Sequence, residues 1–150
     1  METENKQIEI RLLKVKETNF CLNTEVLDSI TDFDINKIQI EFGLKAEPKF
    51  EDNIFTLHIL VKYMYPINGR PEKITELTTA NTFKIKELKD IIKCNDNEIQ
   101  DTIGILPTLV GVAVGTLRGI LIVKTAGTIL SECPVPIINP TELCEGMKKK

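Results

Sequence analysis

Through the first half of the chain, apolar and polar residues alternate with period two, the pattern of strands that bury one face. In QIEIRL, Ile8, Ile10 and Leu12 fall on one face and Gln7, Glu9 and Arg11 on the other. INKIQIEFGLK sets Ile38, Ile40, Phe42 and Leu44 against Gln39, Glu41 and Lys45, and IFTLHILVKYMY sets Phe55, Leu57, Ile59, Val61 and Tyr63 against Thr56, His58 and Lys62. Pro66-Ile67-Asn68-Gly69 follows, and Asn-Gly tolerates the positive φ angles of a tight hairpin. A fourth run, ITELTTANTFKI, is rich in β-branched residues and keeps Leu77, Phe83 and Ile85 in step. The four runs predict an antiparallel meander.

The period then changes. In KELKDIIKCNDNEIQDTI, the spacing of Leu88, Ile91 and Ile92 predicts a short helix or turn over the sheet rather than another strand. Pro107 suits the first turn of a helix, where its missing N–H would be unpaired anyway, and Gly127 just past Lys124 predicts a C-cap. Between these marks lie about 18–20 residues, roughly 28 Å of helix. Pro134, Pro136 and Pro140 forbid a paired central strand beyond it, so that segment is expected to run extended before a last short helical turn. Strands grouped before helices give an α+β class in a single domain, residues 1–150, with 144–150 expected as a disordered tail.

The stretch GVAVGTLRGILIV is apolar on nearly every side and raises the question of a membrane. Arg118 near its middle costs about 2.5–3.5 kcal/mol on insertion scales, and aromatic belts are missing from both ends. No membrane insertion is therefore expected. A soluble helix of this kind must be covered on more than one side, and one sheet covers only one. Gly111, Gly115 and Gly119, spaced by four, share a face where another backbone can come close. That neighbour is either the chain's own sheet or a second subunit.

Composition narrows the function. With 42% hydrophobic residues, 27% charged and a net charge of −3, the chain is an ordinary globular sequence with no general attraction to phosphates, so no nucleic-acid partner is expected. Lys148-Lys149-Lys150 reads as a solvated end. METENKQIEI carries Glu2 and Glu4 where an export signal needs basic residues. Cys21, Cys94, Cys133 and Cys144 form no C-x-x-C pair, so neither a metal site nor a redox motif is expected, and reduced thiols fit a cytoplasmic protein. His58 is the one histidine; alone in mid-strand, it makes no catalytic set, and no enzyme activity or cofactor is expected.

Taken in order, the segments resemble the SecB family of export chaperones over nearly the whole chain. IEIRLLKVKETNF is similar to that family's opening strand, and FDINKIQIEFGLKAEPKFEDNIFTLHILVKY to its crossover segment with the second and third strands. ITELTTANTFKI is similar to the fourth strand, and LPTLVGVAVGTLRGILIVKTAGT followed by PVPIINPTEL to the long helix and its proline-containing sequel. The resemblance implies one antiparallel sheet with a long helix on it, assembled as a homotetrameric dimer of dimers around Gly111, Gly115, Arg118 and Gly119. It implies an ATP-independent holdase that binds unfolded polypeptides or preproteins, without a cofactor, and hands them to the SecA motor of the Sec translocase. Groove candidates are Phe20, Phe33, Ile35, Phe42 and Phe55, with Phe42 and Phe55 open to a core role as well. SecA-contact candidates are Glu17, Ile74 and Glu76, unless Glu17 and Glu76 are merely solvated strand residues. Cys21 stands where the family carries a second acidic residue, aromatics are 5% and tryptophan is absent. A SecB-like chaperone dedicated to one client, such as an antitoxin, is therefore an alternative. From a different class, the rival is a hot-dog thioesterase, although in that fold the helix normally comes early in the chain and here it follows all four strands.

Overall fold

The computed structural model describes residues 8–95 and 98–148, with side chains described as far as Glu145. Strand β1 spans Ile10–Leu22, helix α1 Thr24–Ser29, and strands β2, β3 and β4 span Gln39–Lys49, Ile54–Ile67 and Arg70–Ile85. A four-residue helix α2, Leu88–Ile91, leads into a hairpin of β5, Ile92–Asn95, and β6, Glu98–Asp101. Helix α3 covers Leu106–Lys124 and α4 Pro140–Lys148. The class is α+β: a four-stranded antiparallel sheet carries α3 on one face, called the inner face below.

β3 holds the core because its alternation is complete. Phe55, Leu57, Ile59 and Val61 are fully buried and Tyr63 is 1% exposed, while the residues between them point to the other face. β4 adds Leu77, Phe83 and Ile85 to the same inner layer, in register with β3 through Leu77–Val61 and Phe83–Phe55. The β3–β4 connection is the expected tight turn, with both Asn68 (φ 51°) and Gly69 (φ 79°) left-handed as a primed hairpin requires.

The strand order is β1-β4-β3-β2, which corrects the expected meander. β2, β3 and β4 follow one another as hairpins, but β1 lies beside β4, a Greek-key arrangement. The strands with the fullest apolar stripes take the centre, where both neighbours cover them, and the charge-rich β1 and β2 become edges. The crossover from β1 to β2 makes this possible. It leaves the sheet where the Asn23 N–H donates to the Ile74 carbonyl (2.9 Å), and its first turn, α1, is capped by the Asn23 side chain on Val26 (3.1 Å).

The segment after β4 begins as expected with a short helix, but continues as the β5–β6 hairpin rather than a turn. Leu88 and Ile92, both fully buried, pin it to the core, while Lys93, Cys94, Asn95 and Glu98 are exposed. α3 starts as Pro107 predicts: the Asp101 carboxylate accepts from the Leu106 N–H (2.6 Å) and supplies the missing N-terminal partner. Its C-cap is Thr125 rather than Gly127; Gly127 makes a left-handed turn (φ 83°) two residues later. Leu109, Ala113 and Leu117 lie on the sheet side, at most 1% exposed.

After a 3-10 turn at Ile129–Glu132 the chain runs extended from Cys133, as the prolines require, and two polar anchors strap it down. The Tyr63 hydroxyl donates to the Cys133 carbonyl (2.7 Å), and Arg118 donates to the carbonyls of Val135 (2.8 Å) and Pro136 (3.0 Å). The tail expected to be disordered from residue 144 is instead helical to Lys148, because Cys144 is buried and α4 packs on α3; residues 149–150 lie outside the described residues.

Burial and the nearby Cys133 push the Tyr63 phenol well above its usual range. A raised folded-state value means the neutral phenol's stabilisation is complete below the unfolded tyrosine value of about 10 and is lost as pH rises past it. Tyr63→Phe is expected to cost about 1–3 kcal/mol at neutral pH by stranding the Cys133 carbonyl, and to shrink the alkaline loss of stability. Urea unfolding at neutral and alkaline pH measures both effects.

Candidate functional site

An extended polypeptide binds where a strand edge is free beside an apolar stripe, because edge amides and carbonyls supply hydrogen bonds and the stripe supplies burial. β2 meets both conditions. It pairs only with β3, and its inner-face residues Ile40, Phe42, Leu44 and Ala46 are half-buried rather than sealed. Pro48 and the exposed Lys45 and Lys49 blunt one end of that edge, which leaves the part around Ile40–Leu44 accessible.

The crossover segment closes one end of the stripe. Phe33 stacks on Tyr65 with ring centroids 5.4 Å apart. The Tyr65 hydroxyl accepts from the Asp34 N–H (3.0 Å) and donates to the Asp32 carbonyl (3.4 Å), so one tyrosine fixes both ring and backbone. Asp34 also caps the turn that carries Ile35, which is 53% exposed. Phe33 is thereby fixed at the Tyr65 end of β3, and Ile35 lies exposed in the turn that leads into β2.

Of the other two groove candidates, one is core and one lies at the other edge of the sheet. Phe55 is fully buried on β3 and belongs to the core, since β2 and β4 flank it on both sides. Phe20 is half-buried but sits on β1, at the opposite edge of the sheet from Phe42, with the Lys124 ammonium 4.6 Å above its ring. No single groove can hold Phe20 and Phe42 together.

The three motor-contact candidates also separate. Glu17 pairs with Thr79 on the inner face and forms an ion pair with Lys124 of α3 (2.9 Å). Glu76 lies on the outer face, opposite Lys62 and Cys21 and bonded to Lys73 (3.0 Å). Ile74 is the extra residue at the irregularity between Tyr63 and Met64 and is fully buried, so it offers no surface. The cause is hidden in the sequence. Bulges at Leu13 and Thr18 reset the alternation of β1, turning Lys14 and Lys16 outward and Glu17 inward.

The helix glycines divide as well. A side chain at Gly111 would touch Pro140 (3.7 Å), so this glycine seats α4. Nothing lies within 4 Å of a Cβ at Gly115 or Gly119, which rules out tight seating of these two on the chain's own sheet. They are exposed together with Val112, Ile122 and Val123, the last 75% exposed. Arg118 is committed to the strap described above.

His58 is tied to the outer face. Its Nε2 lies 3.2 Å from Glu47 of β2, which also meets Lys45 (3.4 Å), and Lys62 reaches Glu41 (3.1 Å), so β2 is stitched to β3 by charge as well as by its ladder. Hydrogen bonding from His58, its charge and Lys45 hold the Glu47 carboxyl below the usual carboxylate range. No cluster of His, Cys, Asp and Glu suited to a metal ion occurs among the described residues. Pattern reading missed Tyr65, whose hydroxyl role depends on the crossover folding over the end of β3. No protein-family model matches the chain, and no curated protein matches it either.

Because the Glu47 value is depressed, its contribution to stability is present above the ordinary carboxylate range and is lost as pH falls through the folded-state value. In an NMR titration of side-chain carboxyls, Glu47 is expected to titrate at lower pH than an isolated glutamate. His58→Gln is expected to bring it back up, and an unmoved midpoint would remove His58 as the cause.

Proposed function

We propose that the protein is an ATP-independent holdase that binds extended segments of non-native polypeptide along the β2 edge. The observation that carries this reading is the free backbone edge of β2 beside the half-buried row Ile40, Phe42 and Leu44, closed at one end by Phe33. Such a site accepts many sequences because the backbone provides the bonds and the stripe asks only for apolar side chains. The SecB resemblance of the ordered segments points the same way, toward a chaperone of the cytoplasm working before export.

The uncovered face of α3 supports self-assembly as part of this function. Val112, Gly115, Gly119 and Ile122 form a stripe at spacings of three and four, with glycines that let a second helix approach closely. α3 is long and apolar enough to cross a membrane on length and composition alone. Its contact with the sheet and the Arg118 strap favour a second copy of the chain over lipid as the cover. A dimer of dimers is the arrangement we propose.

A dedicated client, such as an antitoxin, is the second reading, and one observation favours it over general export. Glu17 is engaged by Lys124, Glu76 by Lys73, and Ile74 is buried, so none of the three residues proposed for SecA stands free. The thioesterase alternative makes a separate demand, since it requires His58 to be released from Glu47.

In an aggregation assay with a chemically unfolded substrate, the protein is expected to suppress light scattering at near-stoichiometric ratios, and Ile35→Asp with Phe42→Ser to weaken that suppression. An unchanged aggregation curve with the unmodified protein refutes the holdase. Static light scattering tests assembly: the unmodified chain is expected as a dimer or larger, and Ile122→Glu with Val123→Glu as a monomer. His58→Ala is expected to leave holding intact; a thioester-cleaving activity abolished by it would favour the enzyme.

A further inference from the structure

The outer face of the sheet carries a charge pattern that the linear sequence conceals. Cross-strand register places Arg11, Lys84 and Lys49 in one row with Ile54, then Lys14 beside Thr82, Thr56 and Glu47. The next row holds Lys16, Ala80, His58 and Lys45. All six cations are exposed, against the one carboxylate of Glu47, although the whole chain has a net charge of −3. Toward the other end of the same face, Lys62 is paired with Glu41 and Lys73 with Glu76, so positive charge concentrates on one half.

Rows two residues apart lie about 7 Å from one another and strands about 4.8 Å apart, so neighbouring cations fall within roughly one screening length at physiological salt. They act on a partner as one field rather than as separate ions.

We propose that this half of the outer sheet face is a docking surface for an acidic polypeptide segment. Charge complementarity selects an anionic partner, and three features select polypeptide among anions. The outward residues include no Phe, Tyr or Trp on which bases could stack, and the one ring among them, the His58 imidazole, is largely covered and held against Glu47 (3.2 Å), so the platform that single-stranded nucleic acid requires is missing. The large apolar residues next to these cations are the half-buried Ile54 and, at the β1 bulge, the 43% exposed Leu13, too few to form the continuous apolar face that a lipid interface takes up. Glu47, held by His58 and Lys45, sits among the cations and repels a uniform polyanion, whereas a peptide can place a lysine or amide opposite it. The surface does not depend on the holdase reading, because the proposed client edge is on the inner side of β2.

The test uses the purified full chain and a fluorescein-labelled peptide of alternating Glu and Ser with one central Lys, followed by anisotropy. Binding is expected at low salt and expected to weaken as salt rises. The combined variant Lys14→Gln, Lys16→Gln, Lys49→Gln and Lys84→Gln is expected to bind about tenfold more weakly or worse, with its circular dichroism unchanged. Should that variant fail to fold, Lys16→Glu alone carries the test, with weaker binding expected. Absence of peptide binding, equal binding by the variants, or tighter binding of duplex DNA or phosphatidylserine vesicles at the same salt overturns the proposal. Aggregation suppression by the glutamine variant is expected to match the unmodified protein, so a failed holdase assay and a failed peptide assay point to different faces.

Discussion

The structure depends on the contact between the inner stripe of β3 and one side of α3. β3 offers an unbroken row from Phe55 to Tyr63, and α3 meets it with Leu109, Ala113 and Leu117. Burying a side chain of this size contributes about 1.5–3 kcal/mol, so this layer dominates everything that charge or capping adds. Its geometry also fixes what is left over. A sheet seals a single side of a helix that is apolar all round, and the opposite side keeps Val112, Ile122 and Val123 in the open. The exposed glycines lie on that side, where they cost helix stability and gain nothing within one chain.

Polar handles on apolar residues turn this layer into a defined shape. Tyr63 and Tyr65 lie on the inner face of one strand, yet their hydroxyls hold different segments: Tyr63 the chain after α3, Tyr65 the crossover. Arg118 does the same from the helix, reaching two carbonyls that proline-rich backbone cannot satisfy by strand pairing. The arginine that argued against a bilayer in the sequence is a strap in the fold.

Local patterns were legible from the sequence, and long-range placement was not. The alternation of β3, the Asn68-Gly69 turn, the Pro107 helix start and the extended course through Pro134 and Pro136 each follow from a few neighbouring residues. Phe42 and Phe55 show the limit. Both are phenylalanines on inner faces of alternating strands, and only the strand order makes one core and the other edge. Glu17 fails for a related reason, because the bulges at Leu13 and Thr18 have no glycine or proline to announce them. The cationic half of the outer face is invisible to any linear scan, since its six cations come from three strands and converge through register alone.

Lys124 gives the edge strand β1 an unusual dependence. Most of β1 is exposed, and its far end is held to β4 by its ladder and by the Thr18 and Thr75 hydroxyls, and to α3 by this lysine, which sits against Glu17 and over Phe20 from the helix's last turn. Peeling β1 away uncovers little of the core, so its amides form the natural first unit of partial opening, exchanging with solvent ahead of β3 and β4. The helix end thereby works as a latch whose release would widen the sheet's second margin without melting the molecule.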